Sequence, residues 1–223
     1  MTKISTAKES VKNISEGMRI MIGGFLGVGT PDSLVQALVD QGTKNLTVIT
    51  NDSAFPGIGV GKLQDSKQIA TLYTSYIGGH PASGKCMENG DLKIFLTPQG
   101  TLAEQIRAGG AGLGGFLTPT GIGTVVEKGK QKIIVAEKAY LLEEPLKADV
   151  ALLKAYQADV NGNLIYRFSA RNFNPLMAMA AKVVIVEVEE IVSVGAIEPD
   201  NVITPGIFVD FLVKGDKVHG SNG

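Results

Sequence analysis

Few side chains in this sequence could carry covalent or metal chemistry. The two histidines, His80 and His219, are far apart, and Cys86 is the single cysteine. No His/Cys metal cluster and no intrachain disulfide follow from that set. No Gly-x-Ser-x-Gly elbow occurs, which disfavours a serine hydrolase. Two carboxylates stand out. Glu88, in Met87-Glu88-Asn89-Gly90, reads as a turn residue before a strand and is a candidate exposed nucleophile. Glu104 lies on a short helix, Thr101 to Ala108, that follows Gln99-Gly100. Each reads more readily as a solvated surface charge, as most lone acidic side chains are. Residue types alone supply no convincing nucleophile.

A binding element is easier to find. Met18 to Ile22 reads as a buried strand, Gly23 to Gly29 as a glycine-rich turn, and the residues from Thr30-Pro31 as a helix. Thr30 suits an N-cap and Pro31 the first helical position. Leu34, Val35, Leu38 and Val39 recur at helical spacing. Four glycines in seven residues, Gly23, Gly24, Gly27 and Gly29, allow close backbone approach. The amides at the helix start favour an anion, so the unit suits a phosphate or a polyanionic cofactor arm. A tight turn with glycines for packing is the plainer alternative. Gly27-Val28-Gly29 lacks the third glycine of a dinucleotide fingerprint, Asp32 standing in its place, which disfavours a dehydrogenase. Gly79 to Cys86, GHPASGKC, nearly matches a P-loop. Cys86 stands where Ser or Thr must hold magnesium, and the match reads as chance.

Other elements must position these groups. Thr6 to Ser15 reads as an amphipathic helix. Leu46 to Thr50 reads as a strand with Asn51 and Asp52 at its end, where α/β sheets bind ligands. Asn51 is thus a substrate-contact candidate, or a turn cap. Gly57 to Gly61 reads as a glycine loop, and Ile69 to Ile77 and Leu92 to Leu96 as strands. Gly109 to Thr124 is a long glycine-rich loop, expected to close over a site or to meet a partner chain. Lys132 to Val135 and Ala139 to Leu142 read as an antiparallel pair. Asp149 to Leu153 reads as a buried strand, and Asn161-Gly162-Asn163 as a hairpin turn between Ala155–Val160 and Leu164–Phe168. Pro175 to Ala181 reads as a helix capped by Asn174, Lys182 to Val188 as a buried strand, and Ile207 to Val213 as the last strand. Alternating strands and helices predict an α/β fold, with a mainly parallel central sheet flanked by helices, in a single domain over 1–223. The tail from about Lys214 is polar and expected to be loose.

Composition bounds the function class. Twenty-one basic residues stand against 22 acidic ones, net −1, with no strongly basic run. This argues against nucleic-acid or membrane-surface partners. The opening MTKISTAKES has no apolar core and is not read as a secretory signal, and cysteine poverty fits a cytoplasmic location. The 28 glycines exceed the roughly 16 that an average usage near 7% gives, and they cluster in loops.

Three segments together carry a family resemblance. Glu16-Gly17, the triplet Ile20-Met21-Ile22 and GGFLGVGTP resemble the coenzyme A-binding signature of family I CoA-transferases, with Glu16 where that pattern usually has Asp or Asn. Leu96 to Thr124 resembles the α-subunit segment of the family, and Ser169 to Pro175, SARNFNP, its later segment. Gly29-Thr30-Pro31 is similar to the acetate and butyrate–acetoacetate group; the succinyl-CoA:3-oxoacid group usually has isoleucine at the middle position. The resemblance implies a family I α-subunit fold and transfer of CoA from an acyl-CoA to a short-chain carboxylate such as acetate, butyrate or acetoacetate. It implies a nucleophilic glutamate in a Ser-Glu-Asn-Gly motif of a β subunit, within an α₂β₂ assembly, and CoA or acyl-CoA as substrate with no tightly bound cofactor. Glu88-Asn89-Gly90 mimics that motif but aligns with an ordinary turn. From the resemblance, Gly23, Gly24, Phe25, Leu26, Gly27, Val28 and Gly29 contact CoA, and Gln99 donates to the oxyanion formed when the thioester is attacked. The alternatives are a succinyl-CoA:3-oxoacid subunit, a CoA-ester hydrolase, and a non-catalytic module that binds CoA or another anion.

Overall fold

Unbroken apolar runs such as Ile20-Met21-Ile22 become strands covered on both faces, where no polar alternation is required. The computed structural model describes residues 2–215. The first half of the chain runs β1 (Lys3–Ser5), α1 (Ala7–Val11), β2 (Arg19–Ile22), α2 (Asp32–Gln41), β3 (Leu46–Ile49), α3 (Val60–Asp65), β4 (Ile69–Thr74), α4 (Pro81–Asn89), β5 (Lys93–Leu96) and α5 (Gln99–Gly110). A small antiparallel sheet follows, made of β6 (Phe116–Thr118), β7 (Lys132–Val135) and β8 (Lys138–Glu143). The chain then returns to the main sheet with β9 (Ala148–Asp159), β10 (Leu164–Ile165), α6 (Asn174–Met179), β11 (Ala181–Val192) and β12 (Phe211–Lys214).

The main sheet has the order β1-β12-β11-β9-β2-β3-β4-β5, with parallel neighbours throughout and β10 added antiparallel to β9. Ile20 and Ile22 of β2 face one core with Leu34 and Leu38 of α2 and Leu63 of α3. Met21 faces the other, with Leu102 and Ile106 of α5 and Met177 of α6. From β2 the chain moves outward to β3, whereas from β9 it moves the opposite way to β11. The carboxyl ends of β2 and β9 therefore flank a topological switch point, where open parallel sheets bind ligands.

The expected α/β sheet is present, and several local expectations are corrected. Thr6 caps α1, but the helix ends at Val11 rather than Ser15. The second half of the Gly57–Gly61 loop opens α3, which the glycines conceal in the sequence. GHPASGKC folds as most of α4, with His80 at its N-cap and Pro81 in the first turn. Glu88 consequently sits at the exposed end of a helix, not in a turn before a strand. Asp149–Leu153 and Ala155–Val160 merge into the single strand β9, because β11 pairs along its length. The Gly109–Thr124 stretch is only partly loop. α5 extends through Gly110, and Phe116–Thr118 is tied to β8. Gly206–Phe208 forms a 3₁₀ turn, which delays the last strand to Phe211. Lys214 closes that strand; the expected loose tail beyond Gly215, His219 included, lies outside the described residues.

Candidate functional site

The glycine stretch leaves β2 at the switch point and makes a tight hairpin. Phe25 and Val28 exchange both backbone hydrogen bonds at 2.9 Å. The two residues between them, Leu26 (φ 47°) and Gly27 (φ 91°), both have positive φ, as a type I′ turn requires. Phe25, Leu26 and Val28 are 42%, 38% and 50% exposed, so an apolar tip projects from the sheet edge.

Two glycines are dictated by protein neighbours. A Cβ on Gly23 would lie 1.9 Å from Asn174 Oδ1, and one on Gly29 (φ 75°) would lie 2.8 Å from Ala170 Cα. Asn174, expected as a helix cap, makes no side-chain cap. Its fully buried amide instead accepts from Lys154 N at 3.0 Å and donates to Gly29 O (3.0 Å) and Ala170 O (2.9 Å). Asn172 Nδ2 donates to Val28 O at 3.0 Å. The SARNFNP segment is thus the bracket that shapes the glycine loop.

The helix start differs from expectation. Pro31, not Thr30, holds the N-cap position, and α2 begins at Asp32. Thr30 is buried against Gly24 and Gly59. The free amides of Ser33 and Leu34 donate to Glu187 Oε2 at 2.8 and 3.3 Å. Glu187 Oε1 accepts from Lys154 Nζ at 2.8 Å, the two side chains being 2% and 7% exposed. An internal carboxylate therefore occupies the anion position expected for a ligand.

Gln99 is exposed, at the first position of α5. Its Nε2 donates to Asn51 Oδ1 at 2.7 Å. Asn51 Nδ2 donates to Asp52 Oδ2 at 2.7 Å, and the same oxygen accepts from Leu26 N at 2.8 Å. A continuous hydrogen-bonded path thus joins Gln99 to the tip of the glycine loop. Asn51 is 2% exposed, so its side chain orients Gln99 and is not itself an open contact.

The remaining candidates lie elsewhere. Glu104 pairs with Arg107 at 2.9 Å on the surface of α5. His80 is buried; its Nε2 faces Asp65 Oδ1 at 3.0 Å and its Nδ1 faces Gln64 Nε2 at 3.1 Å, which occupies both ring nitrogens. Cys86 is half-buried against the core. Among the described residues no group of three or more His, Cys, Asp or Glu side chains could hold a metal, and no helix is long and apolar enough to cross a membrane. A cavity of about 420 Å³, lined by Arg19, Lys147, Asp149 and Lys182, opens at the amino ends of β2, β9 and β11. There a hydrogen bond from Lys182, then one from the Arg19 amide, holds the Asp149 carboxyl below the usual range. This is the opposite end of the strands from the glycine loop.

A parallel sheet with a bracketed glycine hairpin at its switch point, and a glutamine wired to that hairpin, defines an α/β subunit with a candidate binding site at the carboxyl ends of its strands. The chain belongs to the coenzyme A transferase family, whose model matches residues 4–215, and it is of the α-subunit type. It is 50% identical over 212 residues to the acetate CoA-transferase subunit alpha of Escherichia coli K12, covering 95% of this chain and 96% of that one. It is 53% identical over 199 residues to the acetoacetyl-CoA:acetate/butyrate CoA transferase alpha subunit of Clostridium acetobutylicum, covering 89% and 91%. An acyl-CoA transferase from E. coli O157:H7, solved as a thioester complex with CoA, shares the fold. Its TM-score is 0.87 at 21% identity, over 96% of this chain and 47% of the other.

Proposed function

We propose that this chain acts with a β subunit, in an α₂β₂ assembly in the cytoplasm, to move CoA between an acyl-CoA and a short-chain carboxylate of the acetate, butyrate and acetoacetate class. No tightly bound cofactor is involved; CoA and acyl-CoA are substrates. A glutamate of the partner attacks the thioester carbonyl, forming an acyl-glutamyl anhydride and releasing CoA thiolate. The thiolate attacks the glutamyl carbonyl, forming an enzyme–CoA thioester and freeing the first acid. The incoming carboxylate then reverses both steps. Each exchange keeps the thioester's free energy as long as water is excluded. The Gly23–Gly29 loop holds the CoA arm, and the Gln99 amide donates to the oxyanion.

The hydrogen-bonded path from Gln99 through Asn51 and Asp52 to Leu26 carries this reading, because it fixes a polar donor relative to the loop. The surface positions of Glu88 and Glu104 support a nucleophile from outside the chain. Thr30, which marks the acetate and butyrate group in the sequence, is buried against glycines and does not itself face a substrate. The decisive experiment measures CoA transfer from butyryl-CoA to acetate by the assembled enzyme. Gln99→Ala is expected to lower kcat by about 10², the scale of one lost oxyanion donor. An unchanged kcat removes Gln99 from the mechanism. The isolated chain is expected to form no borohydride-sensitive CoA thioester, and its formation would return the nucleophile to this subunit.

A further inference from the structure

We propose that Asp52 is a positioning residue that locks the tip of the glycine loop and the Gln99 amide into one register. This rests on the reading of the loop and of Gln99 given above. Asp52 is 3% exposed at the end of β3 and makes no ion pair among the described residues. Its carboxylate is held by N–H groups alone: Leu26 N at 2.8 Å, Ala54 N at 2.8 Å and Asn51 Nδ2 at 2.7 Å. Leu26 (φ 47°) and Ala54 (φ 53°) are both non-glycine residues in the left-handed region. That conformation is costly for a residue with a Cβ. One buried carboxylate thus offsets two strained turns, one carrying the exposed loop tip and the other leaving β3. The third bond orients Asn51, whose Oδ1 receives Gln99.

The chemistry requires an anion here. Three donors converge on two oxygens, and a charged acceptor binds N–H groups more tightly than a neutral one. An asparagine offers one oxygen and turns an N–H toward one of the donors. Asp52→Asn therefore releases either Ala54 alone or the loop tip together with Asn51, whereas Asp52→Ala releases all three and with them the alignment of Asn51 and Gln99.

The test uses the assembled enzyme with butyryl-CoA and acetate, with titration calorimetry for CoA and amide exchange read by mass spectrometry. Asp52→Ala is expected to weaken CoA binding by about tenfold and to lower kcat by about tenfold or more, on the scale of one lost bond to a charged group. Exchange should accelerate in the peptides carrying Leu26 and Ala54. Asn51→Ala cuts the path to Gln99 but spares the Leu26 clasp, so kcat should fall while CoA affinity stays within about twofold. In the Gln99→Ala background, Asp52→Ala should lower kcat little further. Unchanged CoA affinity in Asp52→Ala overturns the proposal, as does a full additional loss of kcat in the double variant. Full kcat in Gln99→Ala alone instead refutes the role of Gln99 and leaves the clasp to be judged by CoA affinity. Should Asp52→Ala fail to assemble, the wild-type exchange decides: a Leu26 amide that exchanges freely sinks the proposal.

Discussion

Removing the Glu187 carboxylate is the severest single test of how the glycine loop is supported. Glu187→Ala strands the Lys154 ammonium, whose side chain is 7% exposed, and uncaps the amides of Ser33 and Leu34. Breaking a buried pair from one side costs about 3–5 kcal/mol, and losing a helix cap costs about 1 kcal/mol. The expected destabilisation of about 4–6 kcal/mol is comparable to the whole stability of many domains. Adding Lys154→Met removes the orphaned charge and should recover about 3 kcal/mol, leaving mainly the uncapped helix. Urea unfolding of the assembled protein, followed by far-ultraviolet circular dichroism because the chain has no tryptophan, reads the order of the three proteins. Amide exchange in the peptide carrying Ser33 and Leu34 reads the cap directly. A loss below about 1 kcal/mol in Glu187→Ala, or a double variant as unstable as the single, refutes the argument that these buried charges compensate each other.

Two further outcomes follow from other contacts. Gly23→Ala places a methyl 1.9 Å from Asn174 Oδ1 and so displaces the amide that holds Lys154 N, Gly29 O and Ala170 O. CoA affinity should fall by at least about tenfold and stability by about 2–3 kcal/mol, at about 1 kcal/mol per lost bond; calorimetry showing unaltered affinity rejects the bracket. Burial pushes the Tyr166 phenol up to about 12, against a partial offset from its hydrogen bond with Thr204. A raised folded-state value means that stability is intact below pH 10 and is lost as pH climbs from 10 towards 12, by about 2–3 kcal/mol. Tyr166→Phe should flatten that alkaline limb in unfolding curves, and an identical limb in the variant contradicts the assignment.

The parallel sheet is legible in the sequence because strands buried on both faces leave long apolar runs. Ile20–Ile22 and Leu46–Ile49 announce themselves this way. α3 is hidden because Gly59 and Gly61 flank its start, and α4 because Gly84 and Gly90 suggest a loop. The roles of Asn174 and Glu187 depend on contacts across the sheet, which local pattern cannot supply. A signal for the ion pair is nevertheless present: Lys154 and Glu187 each follow an apolar run, Val150–Leu153 and Val183–Val186, and an apolar residue comes next. Opposite charges set at the buried centres of two strands must find each other or remain uncompensated, and the register places them side by side on β9 and β11.

The glycine signature itself changes meaning once its neighbours are known. In the sequence, Gly23 to Gly29 reads as backbone left bare for a ligand, ahead of a helix start waiting for an anion. In the fold, the space over Gly23 belongs to Asn174, that over Gly24 to Thr30 and that beside Gly29 to Ala170. The helix amides belong to Glu187. The glycines are thus needed so that protein groups can press against the loop, and the helix positive end is neutralised from within. What remains facing outward is the apolar tip of Phe25, Leu26 and Val28, stiffened from beneath by Asp52. The motif thus imposes the shape of a tight hairpin whose outer face is apolar.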